Sequence, residues 1–443
     1  MRRHTATALA ATLLATGLTP VLLAAPASAA VAKHYDDFNG DGRRDLAYRG
    51  LNDVDRDGGT VTVVYGTAGG LDTARPQLIH QDSPGIPGGG EEDDMFGETL
   101  ASADLDKDGY ADLVVGNPSE HVGSAEYRGT VTIVWGSKSG LSGGTNLDPT
   151  SGAGGRFGRD VATGDFTGDG SPDLAVIGNE KTWLYRGGFT KAGGTGSVSK
   201  IDKAGGSWYS HGLAAGKVNG DGRTDLVVLG TQYEAGDVPR HRVWFLKGSS
   251  SGLTSGPHKT FGTEPWSATI GDFDKNGYGD IAVGLPDQSS GKGAVTVWRG
   301  TSSGPSGSTT FTQATSGVSG SPEADDGFGH AVSAADANGD GHADLAVGVP
   351  FEDVDGRADQ GGVHFFRGGS GGLSGARFSW IAQTVTGPAD ENATFGGTVR
   401  LRDLTADGRA DLAIDGIVLR GTSTVPTTTG AIPLPEFGGG FLD

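Results

Sequence analysis

Asp104-Leu105-Asp106-Lys107-Asp108-Gly109-Tyr110-Ala111-Asp112-Leu113 decides the fold, because its ten-residue frame occurs seven times in the chain. The other copies run Asp37 to Leu46, Asp165 to Leu174, Lys217 to Leu226, Asp272 to Ile281, Asp336 to Leu345 and Asp403 to Leu412. Their first residues stand 52 to 67 positions apart, with a mean step of 61. A repeat of that length is one supersecondary unit, which buries its faces only against its neighbours.

The flanks repeat with the loop. After it comes a short apolar run ending in Gly, as in Leu113-Val114-Val115-Gly116 and Ile281-Ala282-Val283-Gly284, and then a second run rich in Val, Trp, Tyr or Phe, such as Gly129 to Gly136. Both read as strands. Eight residues ahead of four loops stands an aromatic-Gly pair: Phe96-Gly97, Phe157-Gly158, Phe328-Gly329 and Phe395-Gly396. Trp208 and Trp266 take related places in the two shorter copies, and the first copy has no such pair. With a less regular outer segment such as Leu71 to His80, each unit supplies four strands. Seven units fall in the range in which blades close around an axis. The expected fold is all-β: a seven-bladed β-propeller of four-stranded antiparallel blades, each acidic loop joining first and second strands. An open solenoid is the alternative, disfavoured by four-stranded blades and a long step.

Phe-Gly, the acidic loop, and then Gly-x-Pro, as in Gly116-Asn117-Pro118, Gly284-Leu285-Pro286 and Gly348-Val349-Pro350, resembles the FG-GAP repeat of the integrin alpha-chain propeller and of bacterial secreted FG-GAP/VCBS proteins. The resemblance covers nearly all of the chain after residue 30. It implies a seven-bladed propeller with calcium in the loops between first and second strands.

The loop chemistry points the same way. Oxygens at positions 1, 3, 5 and 9, with the carbonyl at 7, can surround one cation, and a set of hard oxygens favours Ca2+ over Mg2+ or a transition metal. The second loop offers four carboxylates, Asp104, Asp106, Asp108 and Asp112, with the carbonyl of Tyr110, and is expected to bind most tightly. Three loops offer three carboxylates and an amide: Asp37, Asn39, Asp41 and Asp45 with Arg43; Asp272, Asp274, Asn276 and Asp280 with Tyr278; Asp336, Asn338, Asp340 and Asp344 with His342. Two carry Thr at position 3 and should bind more weakly: Asp165, Thr167, Asp169 and Asp173 with Ser171, and Asp403, Thr405, Asp407 and Asp411 with Arg409. In the fourth, Lys217 replaces the first ligand beside Asn219, Asp221 and Asp225. That site is expected to be empty, its ammonium standing in for the ion, which leaves about six calcium sites. The competing reading is that these are Asp/Asn/Gly turns whose side chains bond their own backbone.

Composition bounds the rest. The 443 residues include 81 Gly and no Cys, and carry a formal charge of −20, which excludes disulfides and thiol chemistry and argues against a nucleic-acid partner. Arg2, Arg3 and His4, the Ala/Leu-rich run to Ala25 and Ala27-Ser28-Ala29 read as a secretory signal peptide over residues 1–30. The propeller is expected over 31–421, and 422–443 as a last-blade strand or a tail. Gly248-Ser249-Ser250-Ser251-Gly252 and Gly300-Thr301-Ser302-Ser303-Gly304 spell a hydrolase nucleophile motif but fall at a repeated turn after the third strand. His211, His330 and His342 show no zinc-protease spacing. Glu91 to Asp94, Glu323 to Asp326, and Asp390 and Glu391, with the insertions Asn52 to Asp57 and Phe351 to Asp359, form an acidic rim on the face opposite the loops. The rim is either a solvated surface or a site for a basic partner, a sugar or a further cation. The expected function is that of a secreted, calcium-binding, non-enzymatic extracellular module. It would be monomeric, without a membrane anchor, and bind an unknown protein or glycan. The alternative is a polysaccharide hydrolase or lyase.

Overall fold

The computed structural model describes residues 32–51, 58–147, 149–201, 207–385, 387–388 and 390–442. The expected leader and the insertion 52–57 lie outside the described residues.

Leu113, Val114 and Val115 show why each unit needs two neighbours. Successive side chains of a strand point to opposite faces. Leu113 and Val115 share a core with Phe38, Val61 and Val63 of the preceding unit, whereas Val114 shares one with Phe157 and Val176 of the following unit. Seven apolar cores result, one between each pair of successive blades. In the last, Leu404, Ala413 and Val418 of the seventh blade meet Leu46, Tyr48 and Val64 of the first.

The chain forms a seven-bladed propeller of four-stranded antiparallel sheets. Blade 2 consists of Thr99–Ala103, Asp112–Asn117, Thr130–Val134 and Gly144–Leu147. Blades 3 to 7 repeat that order from inner strands Val161–Gly164, Ser207–Gly216, Ser267–Gly271, Val332–Ala335 and Val399–Arg402. Blade 1 contains Leu46–Gly50, Val61–Val64 and Gln77–Ile79, and its innermost strand, Phe437–Phe441, comes from the other end of the chain. The C-terminal segment therefore does two things: Thr427–Pro433 is the outer strand of blade 7, and Phe437–Phe441 closes the ring.

Small side chains such as Ala101, Ala162, Ala215, Ala268 and Ala334 let the inner strands converge around a cavity of about 740 Å³. Six acidic loops link inner and second strands and the first leads into Leu46–Gly50, the second strand of blade 1, so all seven lie on one face. The links that carry Glu91–Asp94 and Glu323–Asp326 enter the inner strands from the other.

Candidate metal centres

The ninth residue of each loop opens the second strand and is buried: Asp45, Asp112, Asp173, Asp225, Asp280, Asp344 and Asp411 are all 3% exposed or less. In Asp112, Oδ2 accepts the Leu105 N–H (2.8 Å) and Oδ1 the Gly136 N–H (2.8 Å), so one carboxylate ties the start of the loop to the end of the third strand. The same pair of bonds recurs at Asp45 (Phe38, Gly66), Asp225 (Val218, Gly248), Asp280 (Phe273, Gly300), Asp344 (Ala337, Gly368) and Asp411 (Leu404, Gly421). At Asp173 the loop donor is Thr167 and the strand donor Gly187. Desolvation pushes Asp45 and Asp112 up to about 8, and Asp280 and Asp344 up to about 6, against these N–H bonds.

The first residue wraps the tip. Asp37 accepts the N–H groups of Asp41 and Gly42; Asp165 those of Gly168, Asp169 and Gly170; Asp272 those of Asn276 and Gly277; Asp403 those of Asp407 and Gly408. Asp104 takes Gly109, and Asp336 takes Gly339 and Gly341. Position 5 accepts the N–H of position 7 throughout: Asp41 from Arg43, Asp108 from Tyr110, Asp169 from Ser171, Asn276 from Tyr278, Asp340 from His342 and Asp407 from Arg409. At position 3, Asn39, Asp106, Asp274 and Asn338 accept the N–H of position 5, while Thr405 donates to Asp411 and Thr167 is buried. These are the bonds of the turn reading, and in the second loop they coexist with convergence of oxygens. Among the described residues, Asp104, Asp106 and Asp108 each bring a carboxylate oxygen within 4.8 Å of the others.

Among the described residues, lysine ammonium groups meet the carboxylates of two loops. In the fourth, Asp221 is met by Lys247 (3.4 Å) from the end of the third strand, and by Arg223 (3.9 Å). The loop keeps its shape without a first carboxylate because Asp225 and Asn219 still hold its backbone. In the second, Lys191 from the next blade lies 3.3 Å from Asp106 and 3.1 Å from Asp108. Burial works against its charge, but Asp108 and Asp106 outweigh it and raise its pKa. No repeat spacing reveals Lys191, which lies in the outer segment of blade 3.

The loops also connect the blades. The N–H of position 8 donates to the position 1 carbonyl of the preceding loop in Ala111→Asp37 (2.9 Å), Thr224→Asp165 (3.0 Å), Gly279→Lys217 (3.1 Å), Ala343→Asp272 (2.9 Å) and Ala410→Asp336 (2.8 Å). Position 8 of the third loop is Pro172, which has no N–H to give.

On the far face the aromatic-Gly pair and the Gly-x-Pro glycine form one contact. Phe96, Phe157, Phe328 and Phe395 are buried. A Cβ on Gly116 would stand 2.3 Å from the Gly158 carbonyl oxygen of the next blade, and on Gly348 1.9 Å from that of Gly396. A family model described as FG-GAP repeat matches residues 96–134, 265–298 and 328–366, and one described as FG-GAP-like repeat matches 165–228. FG-GAP repeats run through blades 2 to 6. The FG-GAP region is similar to phosphatidylinositol-glycan-specific phospholipase D of Bos taurus, 36% identical over 155 residues that cover 30% of this chain and 18% of the relative. It is also similar to integrin alpha-IIb of Homo sapiens, 32% identical over 224 residues covering 44% and 20%, and to integrin alpha-PS2 of Drosophila melanogaster, 29% over 223 residues covering 44% and 15%. The chain spans a fifth or less of these relatives' length.

One FG-GAP repeat departs from the expected pattern. Trp208 is buried like the phenylalanines, but Trp266 is 52% exposed. Its N–H donates to the Gly284 carbonyl, as the Gly97 N–H does to Gly116, so Trp266 occupies the glycine's place and not the aromatic one. The hydrolase-like motifs are turns: Ser249 donates its hydroxyl to the Gly252 carbonyl, and Thr301 to that of Gly304. His211 lies 3.1 Å from Glu264, His330 packs between Trp266 and Phe351, and His342 bonds Asp340. No helix of the described residues is long and apolar enough to cross a membrane.

Proposed function

We propose that this chain is a calcium-held extracellular binding module of the adhesion type, which recognises a protein or glycan on the face opposite its acidic loops and catalyses no reaction. The observation that carries the reading is the difference between the two faces. On the loop face seven connections share one frame. On the other they diverge: blade 4 extends into a long hairpin, Asp225–Glu234 and Val238–Ser249, and Trp266, His330 and Phe351 form an aromatic row with ring centroids 5.2 and 6.0 Å apart. The Trp266 indole N–H donates to Asp287 (3.1 Å), which steadies a half-exposed ring beside a carboxylate. A held aromatic face with an acid at its edge suits sugar rings and basic side chains. The similarity to integrin alpha chains supports an adhesive role. The six loops with a first carboxylate, above all Asp104, Asp106 and Asp108, supply the oxygens for calcium, and the scaffold's stability is expected to depend on it.

The test is a screen of the calcium-loaded protein against glycan arrays and basic proteins. Trp266→Ala and Phe351→Ala should lower affinity for the ligand found at least tenfold while leaving the melting temperature unchanged. A ligand whose affinity both variants leave intact overturns recognition at this face, as does an empty screen. Polysaccharide turnover abolished by one carboxylate substitution overturns the non-enzymatic reading.

A further inference from the structure

The face opposite the acidic loops carries a group of a different chemical kind. In blade 2 the link before the inner strand brings Glu91 and Asp94, and the connection between second and third strands brings Glu120 and His121. One ligand atom each from Glu91, Asp94 and His121 lies within 4.8 Å of the others. Local bonds hold the three in place. The Glu91 N–H donates to Asp94 Oδ2 (3.2 Å) and the Asp94 N–H to the Glu91 carbonyl (3.0 Å). His121 opens a tight turn closed by reciprocal bonds between Val122 and Ala125, and its ring rests against Tyr127 at 5.1 Å.

The second observation is an orphan. Asp94 is 4% exposed, its Oδ2 is taken by the Glu91 amide, and its Oδ1 is buried with no hydrogen-bond donor. A buried carboxylate oxygen without a partner is costly unless something cationic reaches it. Nearby Glu120 accepts Gln81 Nε2 (2.5 Å) and Asn117 Nδ2 (2.7 Å) at its own Oε2. We propose that Glu91, Asp94 and His121 form a divalent-cation site of the zinc class, with water completing the tetrahedron. Calcium would ask for six or more oxygens, whereas two carboxylates and an imidazole with an open fourth position match zinc.

Blade 6 provides the internal comparison. Glu323, Asp326 and Glu352 repeat the frame, with the Glu323 N–H on Asp326 Oδ2 and Gln313 Nε2 on Glu352 Oε2, both at 2.5 Å. Asp353 stands in the place of His121, so the nitrogen ligand is missing and zinc selectivity is confined to blade 2.

The experiment is zinc titration of the full chain by calorimetry with calcium in excess, and with Co2+ as a spectroscopic probe. One Zn2+ per chain should bind without competition from calcium, and Co2+ should give the visible absorption of a tetrahedral site. His121→Asp, which converts the group to the blade 6 type, should weaken zinc at least tenfold and remove that absorption. Glu91→Gln, at an exposed position, should weaken zinc by a similar factor and keeps the test independent of any folding defect. Absence of zinc binding, an affinity that both variants leave unchanged from the parent chain, or displacement by calcium would overturn the site. None of these results depends on whether a ligand is found for the aromatic row.

Discussion

Asp225 separates two roles that an aspartate combines in these loops. It belongs to the loop headed by Lys217, where no metal is expected, and it still accepts N–H bonds from Val218, Asn219 and Gly248. Asp225→Ala should therefore destabilise the protein by about 2–5 kcal/mol, since each buried donor left unpaired costs about 1–3 kcal/mol, and by the same amount with or without calcium in urea unfolding. The spacing showed the ninth residue as a ligand candidate but not as a bracket, because its second partner, the glycine after the third strand, lies 10 to 24 residues on. The buried aspartates also set a pH dependence. Asp280 and Asp344 are pushed to about 6, and Asp45 and Asp112 to about 8, all above the ordinary aspartate value of about 4. The folded state thus holds these protons more tightly than the unfolded chain. Their contribution is fully present below pH about 4 and is lost as pH rises through 6 and 8. Urea midpoints of the metal-stripped protein should fall across that window. Excess calcium, which favours the ionised form, should reverse the slope.

At the scale of the element, the unit of stability is the seam between blades. Phe157 belongs to the core that joins Val114 and Val131 of blade 2 to Val161 and Val176 of blade 3, and Gly158 sits against Gly116 across the same seam. Phe157→Ala should cost about 3–5 kcal/mol, measured by denaturant unfolding, and should lower the unfolding midpoint without altering calcium stoichiometry. The strands and the aromatic-Gly pair were readable because alternation and spacing are local signals. Their partner was not, since it lies about forty residues upstream in the preceding blade. Trp266 shows the limit of spacing as a guide: it stands six residues before its loop where the phenylalanines stand eight before theirs, and it faces solvent. The position 8 amides that join successive loops were equally hidden, because a backbone N–H leaves no mark on sequence except where Pro172 removes it.

At the scale of the whole molecule, the seven repeats gave the blade number, and the register of the last strands supplied the closure. Phe437–Phe441 lies along Leu46–Gly50, and the rings of Phe437 and Phe441 meet Tyr48 tilted and edge-on at 5.5 and 6.3 Å. Asp36, buried beside Arg44 (2.7 Å) and Arg402 (3.4 Å), adds an ionic tie between the first and seventh blades. A chain truncated before Phe437 would expose the edge of Leu46–Gly50 and the core around Tyr48. It should melt at lower temperature than the full chain and associate in light scattering, whereas unchanged melting and a single monomeric species would show that the strand is dispensable. The acidic frame was legible residue by residue. What it holds was not, because its bonds serve a turn and a cation equally well. Calcium titration of the metal-stripped protein, with stoichiometry and thermal unfolding followed together, separates the two. The account predicts about six ions per chain and a large rise in melting temperature; one or two ions, or binding without stabilisation, would contradict it.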